Sequence, residues 1–416
     1  MGGDAPDSFD VIVVGGGIAG SALARSLAHA DLDVLVVERQ EEFRDRVRGE
    51  AMMPWGVVEA RRLGVEQLLL AAGGAFATRT ISYDEIRAPA EAEEGALPLD
   101  IFAPDVPGFL DVGHPQACEA LLSGAAAAGA TVVRGVGEVV VAAGAQPAVR
   151  YELDGEEQAA QGRLVVGADG RMSTVRRQLG IELHETEPRT MLAGLLVSDL
   201  DEWPSDQISV GTADDVHFLL FPRPDGVVRL YLAYDIAQKA RFAGADRADR
   251  FLDAFRIDSL PLGHAIASAT PAGPCAGHAN NDSWTEHPYV DGAVLIGDAA
   301  GWSDPLIGQG LSVALRDART VAECLVGRDD WSAEAFVAYG DERAERMRRL
   351  RVTVSIMTDL RCDFTPRGRA RRSAFFTDFM DDPLSVGVLL AQLSGPEVPE
   401  PEIFDTANVE RILAMH

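Results

Sequence analysis

Lysine is almost missing from this chain: of its 37 basic residues among 416, only Lys239 is one. Cysteine is scarce too, and Cys118, Cys275, Cys324 and Cys362 stand apart without a CxxC pair. That spacing suits neither a disulfide framework nor a zinc site, and leaves reduced thiols as the expectation. Positive charge is in deficit, 65 acidic residues against 37 basic for a formal charge of -28. Such a surface repels phosphate backbones and anionic bilayers, so neither nucleic acid nor membrane is expected as a partner. No apolar run reaches the roughly 18 residues of a membrane span. Asp4, Asp7 and Asp10 precede the first strand without a basic residue, unlike a secretory leader. A soluble, cytoplasmic protein is the expectation. The eight histidines are dispersed, and neither a GxSxG elbow nor an HExxH pair occurs, so no metal is expected.

What is present is apolar residues in abundance: 47% of the chain is hydrophobic, enough at this length for two or three domains with large cores. Basic residues cluster in "RAERMRRLR" (343–351) and "PRGRARR" (366–372), which read as a solvated helix face and loop balancing acidic neighbours, with docking of an anionic substrate or cofactor as the alternative.

Three stretches carry the chemistry. In "FDVIVVGGGIAGSALARSLAHADLDVLVVER" an apolar strand turns at Gly15, enters an alanine-rich helix, and returns as a second strand ending at Glu38, with Arg39 beside it. The glycines act in different ways. Gly15 permits the tight turn, Gly17 lets the backbone approach a pyrophosphate, and Gly20 allows helix and strand to pack closely. The helix N-terminus offers free N–H groups to phosphate. An acid at Glu38 accepts hydrogen bonds from ribose hydroxyls and repels a 2′-phosphate, which selects FAD or NAD over NADP at this site. Farther along, "GRLVVGADGRMSTVRRQLGI" delivers Asp169 from a strand into a turn where Ser173 can cap the next helix. Finally "VLIGDAAGWSDPLIGQGLSVALRDA" runs from a strand through Asp298 and a loop with Pro305, Gly308 and Gly310 into a helix at Leu311. Strand, acid, loop and helix in that order mark the ligand crevice of an open α/β sheet.

Between these motifs the pattern changes. "TRTISYDEI" and "LPLDIFA" are short strand-like pieces, and residues 186–279 contain "TMLAGLLVSDL", "QISVGTADD" and a hairpin turning at "PRPDG", an antiparallel sheet. In the hairpin His217, Leu219 and Phe221 share one face, as do Arg229, Tyr231 and Ala233 on the returning strand. The expected fold is α/β: a Rossmann-like FAD-binding domain with a parallel sheet (1–80, 105–185 and 280–330), an antiparallel-sheet substrate domain (81–104 and 186–279), and a helical C-terminal region (331–416).

In order and spacing, over most of residues 9–330, the three motifs resemble those of FAD-dependent monooxygenases of the para-hydroxybenzoate hydroxylase fold, the single-component group A flavoprotein hydroxylases. The resemblance implies tightly but non-covalently bound FAD, transiently bound NAD(P)H, and O2, used to hydroxylate an aromatic or polycyclic small molecule through a flavin hydroperoxide. Secondary metabolism or aromatic catabolism is the implied setting, and a monomer or homodimer the implied state. It further implies that Asp298 bonds the ribityl chain or phosphate side of FAD and that Pro305 lies beside the isoalloxazine. The backbone from Gly308 through Gly310 to Leu311 would face the pyrimidine edge, where a helix N-terminus favours negative charge. Asp169 would lie near the pyrophosphate and nicotinamide route. Arg48 matches an arginine after the second strand, with an ion pair to Asp45 or Glu50 as its alternative. Gln116 stands where many relatives place an FAD-binding arginine, and Gly301-Trp302 where many carry a histidine.

Candidates for substrate chemistry are Asp304 (proton acceptor or loop cap), Trp302, His217 (general base or structural) and Tyr231 (orienting a phenol or packing). A reductase of the geranylgeranyl reductase type is the alternative, kept open by "VRGEAMMP". A halogenase is disfavoured because "PWGVVEA" does not supply WxWxIP and no suitable lysine is present; a non-catalytic FAD-binding protein completes the alternatives.

Overall fold

A computed structural model describes residues 7–224, 226–378 and 381–415. Asp4, the turn residue Asp225, and the extreme ends of the N- and C-terminal ranges given above lie outside the described residues. The chain opens with β1 (Val11–Val14), α1 (Ile18–His29) and β2 (Val34–Glu38). It then supplies β3 (Arg79–Ser82) and β4 (Leu97–Pro98) to a different sheet. It returns through α2 (His114–Ala127), β5 (Thr131–Arg134), β6 (Leu164–Gly167) and α3 (Thr174–Gln178). Next come β7 (Thr190–Ser198), β8 (Gln207–Ala213), β9 (Val216–Pro222), β10 (Val228–Asp235) and β11 (Ala276–Asn280). Short strands β12 (Tyr289–Val290) and β13 (Ala293–Leu295) lead to α4 (Gly310–Leu325), α5 (Val337–Arg361), α6 (Pro366–Asp378) and α7 (Pro383–Leu393).

The first sheet has the order β12-β13-β6-β1-β2-β5 and is parallel except at β12. Its strands are covered on both faces, which is why β1 and β2 read as unbroken apolar runs. Val11, Val13, Val34 and Val36 join one core with Leu23, Leu121 and Leu315 of the flanking helices; Ile12, Val14, Leu35 and Val37 join another with Val149 and Val165. The second sheet runs β7-β10-β9-β8-β3-β4, with β11 on the outer edge of β7. Its pairings are antiparallel apart from β3 beside β8.

The two arginine runs depart only in part from the solvated faces expected of them: Arg348, Arg367 and Arg369 are exposed, with Arg348 on Glu345 and Arg369 on Glu85, but others are not. Arg343 and Arg346 of α5 are buried on Asp317 of α4, at 2.9 and 2.7 Å. Asp317 also accepts from the N–H of Gly297, and Arg343 donates to the carbonyls of Gly297, Ala300 and Gly301. These guanidiniums are an internal strut under the "GDAA" turn. In α6, Arg371 and Arg372 are likewise buried, and Arg372 pairs with Glu85 at 3.0 Å. Among the described residues, no helix is long and apolar enough to cross a membrane.

Candidate functional site

One cavity of about 1130 Å³ runs from the carboxyl ends of β1, β2 and β6, past the loop before α4, to the face of the second sheet. It exceeds the about 300–1,000 Å³ usual for one drug-sized ligand, so a dinucleotide and a second molecule can share it.

The groove end is made by the three motifs. Gly15 has φ +108°, and a methyl group there would lie 2.4 Å from the Ala168 carbonyl oxygen, so only glycine lets β1 turn against β6. On Gly20 the same group would meet the Gly15 oxygen at 2.0 Å, whereas on Gly17 it would meet nothing within 4 Å. Gly15 and Gly20 permit close packing; Gly17 keeps space open above the N-terminus of α1. Glu38 lines the groove with its carboxylate accepting from the N–H groups of Gly16 (2.6 Å) and Gln40 (2.8 Å). Arg39 and Arg48 lie exposed on the rim. Asp45 and Glu50 both pair with buried Arg229, at 2.6 and 3.0 Å, so they are not the partners of Arg48, which stays on the cavity wall.

Asp169 lines the groove while its oxygens accept from the Ser173 and Thr174 hydroxyls and the Thr174 and Val175 N–H groups. Ser173 caps α3 by accepting from Arg176 N–H at 2.9 Å. Arg176 then donates to the carbonyl of Ala299 at 2.8 Å, which ties the second motif to the third. Asp298 lines the cavity and meets Arg171 at 3.4 Å. Arg171 is a residue that motif reading passed over; its place in "ADGRMS" is its only sequence signal. Beyond Pro305, Gly308 (φ +67°) redirects the chain so that α4 begins at Gly310 with the backbone of Gly310 and Leu311 on the cavity wall. A methyl group on Gly310 would also meet open space.

Gln116 departs from its expected position. It is exposed on the first turn of α2 and off the cavity; His114 and Cys118, one turn apart, line it instead, 3.6 Å from Nδ1 to Sγ. Burial, aided by Arg48, holds the His114 imidazole down at about 4, and burial pushes the Cys118 thiol up to about 12. The i, i+4 spacing of His114 and Cys118 is the signal that could have found them.

Trp302 and Asp304 do not line the cavity either. The backbone from 302 to 304 bonds to Ser283 and Asp282, which turns both side chains away: Trp302 Nε1 donates to Asn281 and its ring lies 5.2 Å from the Arg171 guanidinium. Asp304 caps the turn Pro305–Ile307 by accepting from Leu306 N–H at 2.9 Å. Burial, reinforced by Asp282, pushes its carboxyl up to about 7.

The far end is an apolar chamber on the second sheet. Cross-strand pairs His217–Ala233, Leu219–Tyr231 and Phe221–Arg229 bring both hairpin sets onto one face, where His217, Leu219, Phe221 and Tyr231 line the cavity. Tyr231 is buried edge-on to Phe221, and burial pushes its phenol up, so it remains protonated. Helices α5, α6 and α7 contribute Met357, Phe375 and Val388, among others, to the chamber wall. His217 is buried against Thr212, and burial together with Arg361 and Arg372 holds its imidazole well below its ordinary value.

The residues fit FAD: a helix N-terminus with open space over Gly17, a carboxylate at the end of β2, and open backbone at the start of α4 are complementary to pyrophosphate, ribose and ring edge. Comparison with known proteins agrees. The family described as FAD binding domain matches residues 8–352. Squalene epoxidase 1 of Arabidopsis thaliana is 30% identical over 325 residues, 74% of this chain, though the chain spans only 57% of that relative's length. A menaquinone reductase of Mycobacterium tuberculosis is 29% identical over 342 residues, covering 78% of each. The crystal structure of p-nitrophenol 4-monooxygenase PnpA from Pseudomonas putida superposes with a TM-score of 0.76 at 18% identity, over 94% of this chain and 99% of that one.

Proposed function

This chain belongs to the FAD-binding-domain family, and from that premise we propose that it is a flavin-dependent monooxygenase using NAD(P)H and O2 to hydroxylate an aromatic or polycyclic small molecule. The observation that carries the reading is the continuity of the glycine-lined groove with a chamber walled largely by aromatic and aliphatic side chains. FAD bound in the groove would supply the redox and oxygen chemistry. The protein's share is position, electrostatics and exclusion of water. Glu38 would receive the ribose hydroxyls, the N-terminus of α1 the pyrophosphate, and Asp298, braced by Arg171 and Trp302, the ribityl side. The N–H groups at the start of α4 would stabilise negative charge at the ring edge. Tyr231 offers a protonated hydroxyl and His217 a neutral imidazole to the substrate, while α5 to α7 keep bulk water from the reacting atoms.

A second reading, reduction of a quinone or isoprenoid, is favoured by the menaquinone reductase match, which covers both chains equally. Purified protein should be yellow, and NAD(P)H oxidation should rise several-fold with phenolic or polyketide-like compounds only when oxygen is present. Equal turnover without oxygen would instead support the reductase. A protein that refuses added FAD would overturn both.

A further inference from the structure

The short strand Phe109–Asp111 sets a carboxyl behind the cavity wall, and we propose that Asp111 is a carboxylic acid sharing its proton with Glu50, the pair serving as the proton store for chemistry in the cavity. Glu50 is the member on the wall, and Asp111 acts through it. The proposal rests on the cavity as the site of nicotinamide-driven chemistry, and holds for either of the two reactions considered above.

Asp111 stands opposite Ala51 in an antiparallel pair, and the next N–H, that of Val112, donates to the Glu50 carbonyl at 2.9 Å. Side chains alternate along a strand, so Asp111 shares a face with Phe109, which lines the cavity. Asp111 is 2% exposed, and neither of its carboxyl oxygens has a hydrogen-bond partner among the described residues. On Glu50, Oε1 accepts from Arg229 at 3.1 Å, while Oε2 has no hydrogen bond and lies 3.8 Å from Arg223. An ionised carboxylate buried without a donor is strongly disfavoured, and such a group keeps its proton instead. That proton needs an acceptor, and Oε2 of Glu50 is a buried acceptor in need of a donor. Charge gives the same answer. Asp45, Glu50 and Asp111 gather about the guanidiniums of Arg223 and Arg229, and one proton brings three acids and two guanidiniums to neutrality. Burial, and next the Glu50 charge, pushes the Asp111 carboxyl well above its ordinary range against the pull of Arg223.

Both reactions need that proton. RH, O2, NAD(P)H and H+ give ROH, H2O and NAD(P)+; a quinone, NAD(P)H and H+ give the quinol and NAD(P)+. The hydride brings two electrons and one hydrogen, and the second hydrogen arrives as a proton. The imidazoles on the wall do not carry it: burial, with neighbouring guanidiniums, holds His114 and His278 down at about 4 and His217 well below its ordinary value. Tyr231 is pushed up by burial and keeps its hydrogen. In the proposed step the O–H bond of Asp111 breaks as one forms on Glu50, and Glu50 passes a proton to the base generated in the cavity. Solvent refills Asp111 by the reverse route once the product has left.

The test uses the FAD-loaded protein. Infrared spectra of the oxidised form, taken above neutral pH where Asp304 has ionised, should show the carbonyl stretch of a protonated carboxylic acid. The band should move in ²H2O and with carbon-13 aspartate, vanish in Asp111→Asn and persist in Glu50→Gln. Reoxidation of the reduced protein by oxygen or a quinone, read as the return of flavin absorbance, should be level across neutral pH in wild type. Both variants must take the proton from solvent, so in each the rate should fall about tenfold for every unit of pH, a slope that a merely structural role would not produce. Absence of an aspartic acid band, a band that survives Asp111→Asn, or reoxidation in the variants as level with pH as in wild type would overturn the proposal. Turnover that proceeds equally without oxygen would overturn the monooxygenase reading instead and leave the carboxyl pair standing.

Discussion

Asp304 shows how one buried carboxyl can be mistaken for an acid–base catalyst. Its place next to Pro305 suggested the cavity, but its oxygen accepts from Leu306 N–H and its side chain lies off the cavity wall. In the unfolded chain it ionises near 3.8, and in the fold near 7. Between those values the native state holds the extra proton, so stability falls as pH rises from about 4 to 7 and the whole penalty, on the order of 4 kcal/mol, persists above. Asp304→Asn keeps the cap and cannot ionise. Thermal melts should show the variant matching wild type near pH 4 and exceeding it by several degrees at pH 8; a difference independent of pH would contradict the assignment. At this scale the sequence was most readable for residues that act through backbone geometry. Gly15, Gly17, Gly20 and Ser173 can be read from local pattern, since each acts within a few residues of itself. Asp304 belongs with them in the loop-cap role given as its alternative, since Leu306 is two residues away; Trp302 does not, because its backbone and indole are held by Ser283 and Asn281, distant in sequence.

The element that joins the motifs is the "GDAA" turn, held from below by α4 and α5. Asp317→Asn would leave buried Arg343 without its carboxylate while Arg346 keeps Glu342 at 3.1 Å, and loss of one partner from such a cluster costs about 3–5 kcal/mol. Chemical denaturation should record that loss, and FAD content should fall with it. Unchanged stability would mean the strut is dispensable. The glycines of the first motif should separate packing from binding. Gly20→Ala pushes a methyl into the Gly15 carbonyl and should cost the FAD-free protein about 1–3 kcal/mol. Gly17→Ala meets no protein atom, so the FAD-free protein should melt near the wild-type temperature while FAD affinity, followed by flavin fluorescence, drops about tenfold or more. Equal destabilisation by the two changes would count against an open phosphate cradle. The strut was hidden in the sequence because the buried stripe of α5 carries arginines where apolar residues would mark a core face.

Across the whole molecule, both sheets could be anticipated from periodicity: continuous apolar runs for the covered parallel strands, and paired runs about a turn for the hairpin. The contribution of α5 to α7 to the chamber could not, because which helix face meets the cavity depends on how three C-terminal helices dock onto two sheets formed from interleaved parts of the chain. That docking joins the glycine-lined groove to a largely apolar chamber, an arrangement suited to chemistry on a ring system. The decisive measurement is turnover of the FAD-loaded protein under ¹⁸O2 with NAD(P)H and a hydroxylated aromatic substrate. A product heavier by one ¹⁸O atom, formed in step with nicotinamide oxidation, is the predicted result. A product carrying no label, or one that forms equally well without oxygen, would contradict monooxygenase function.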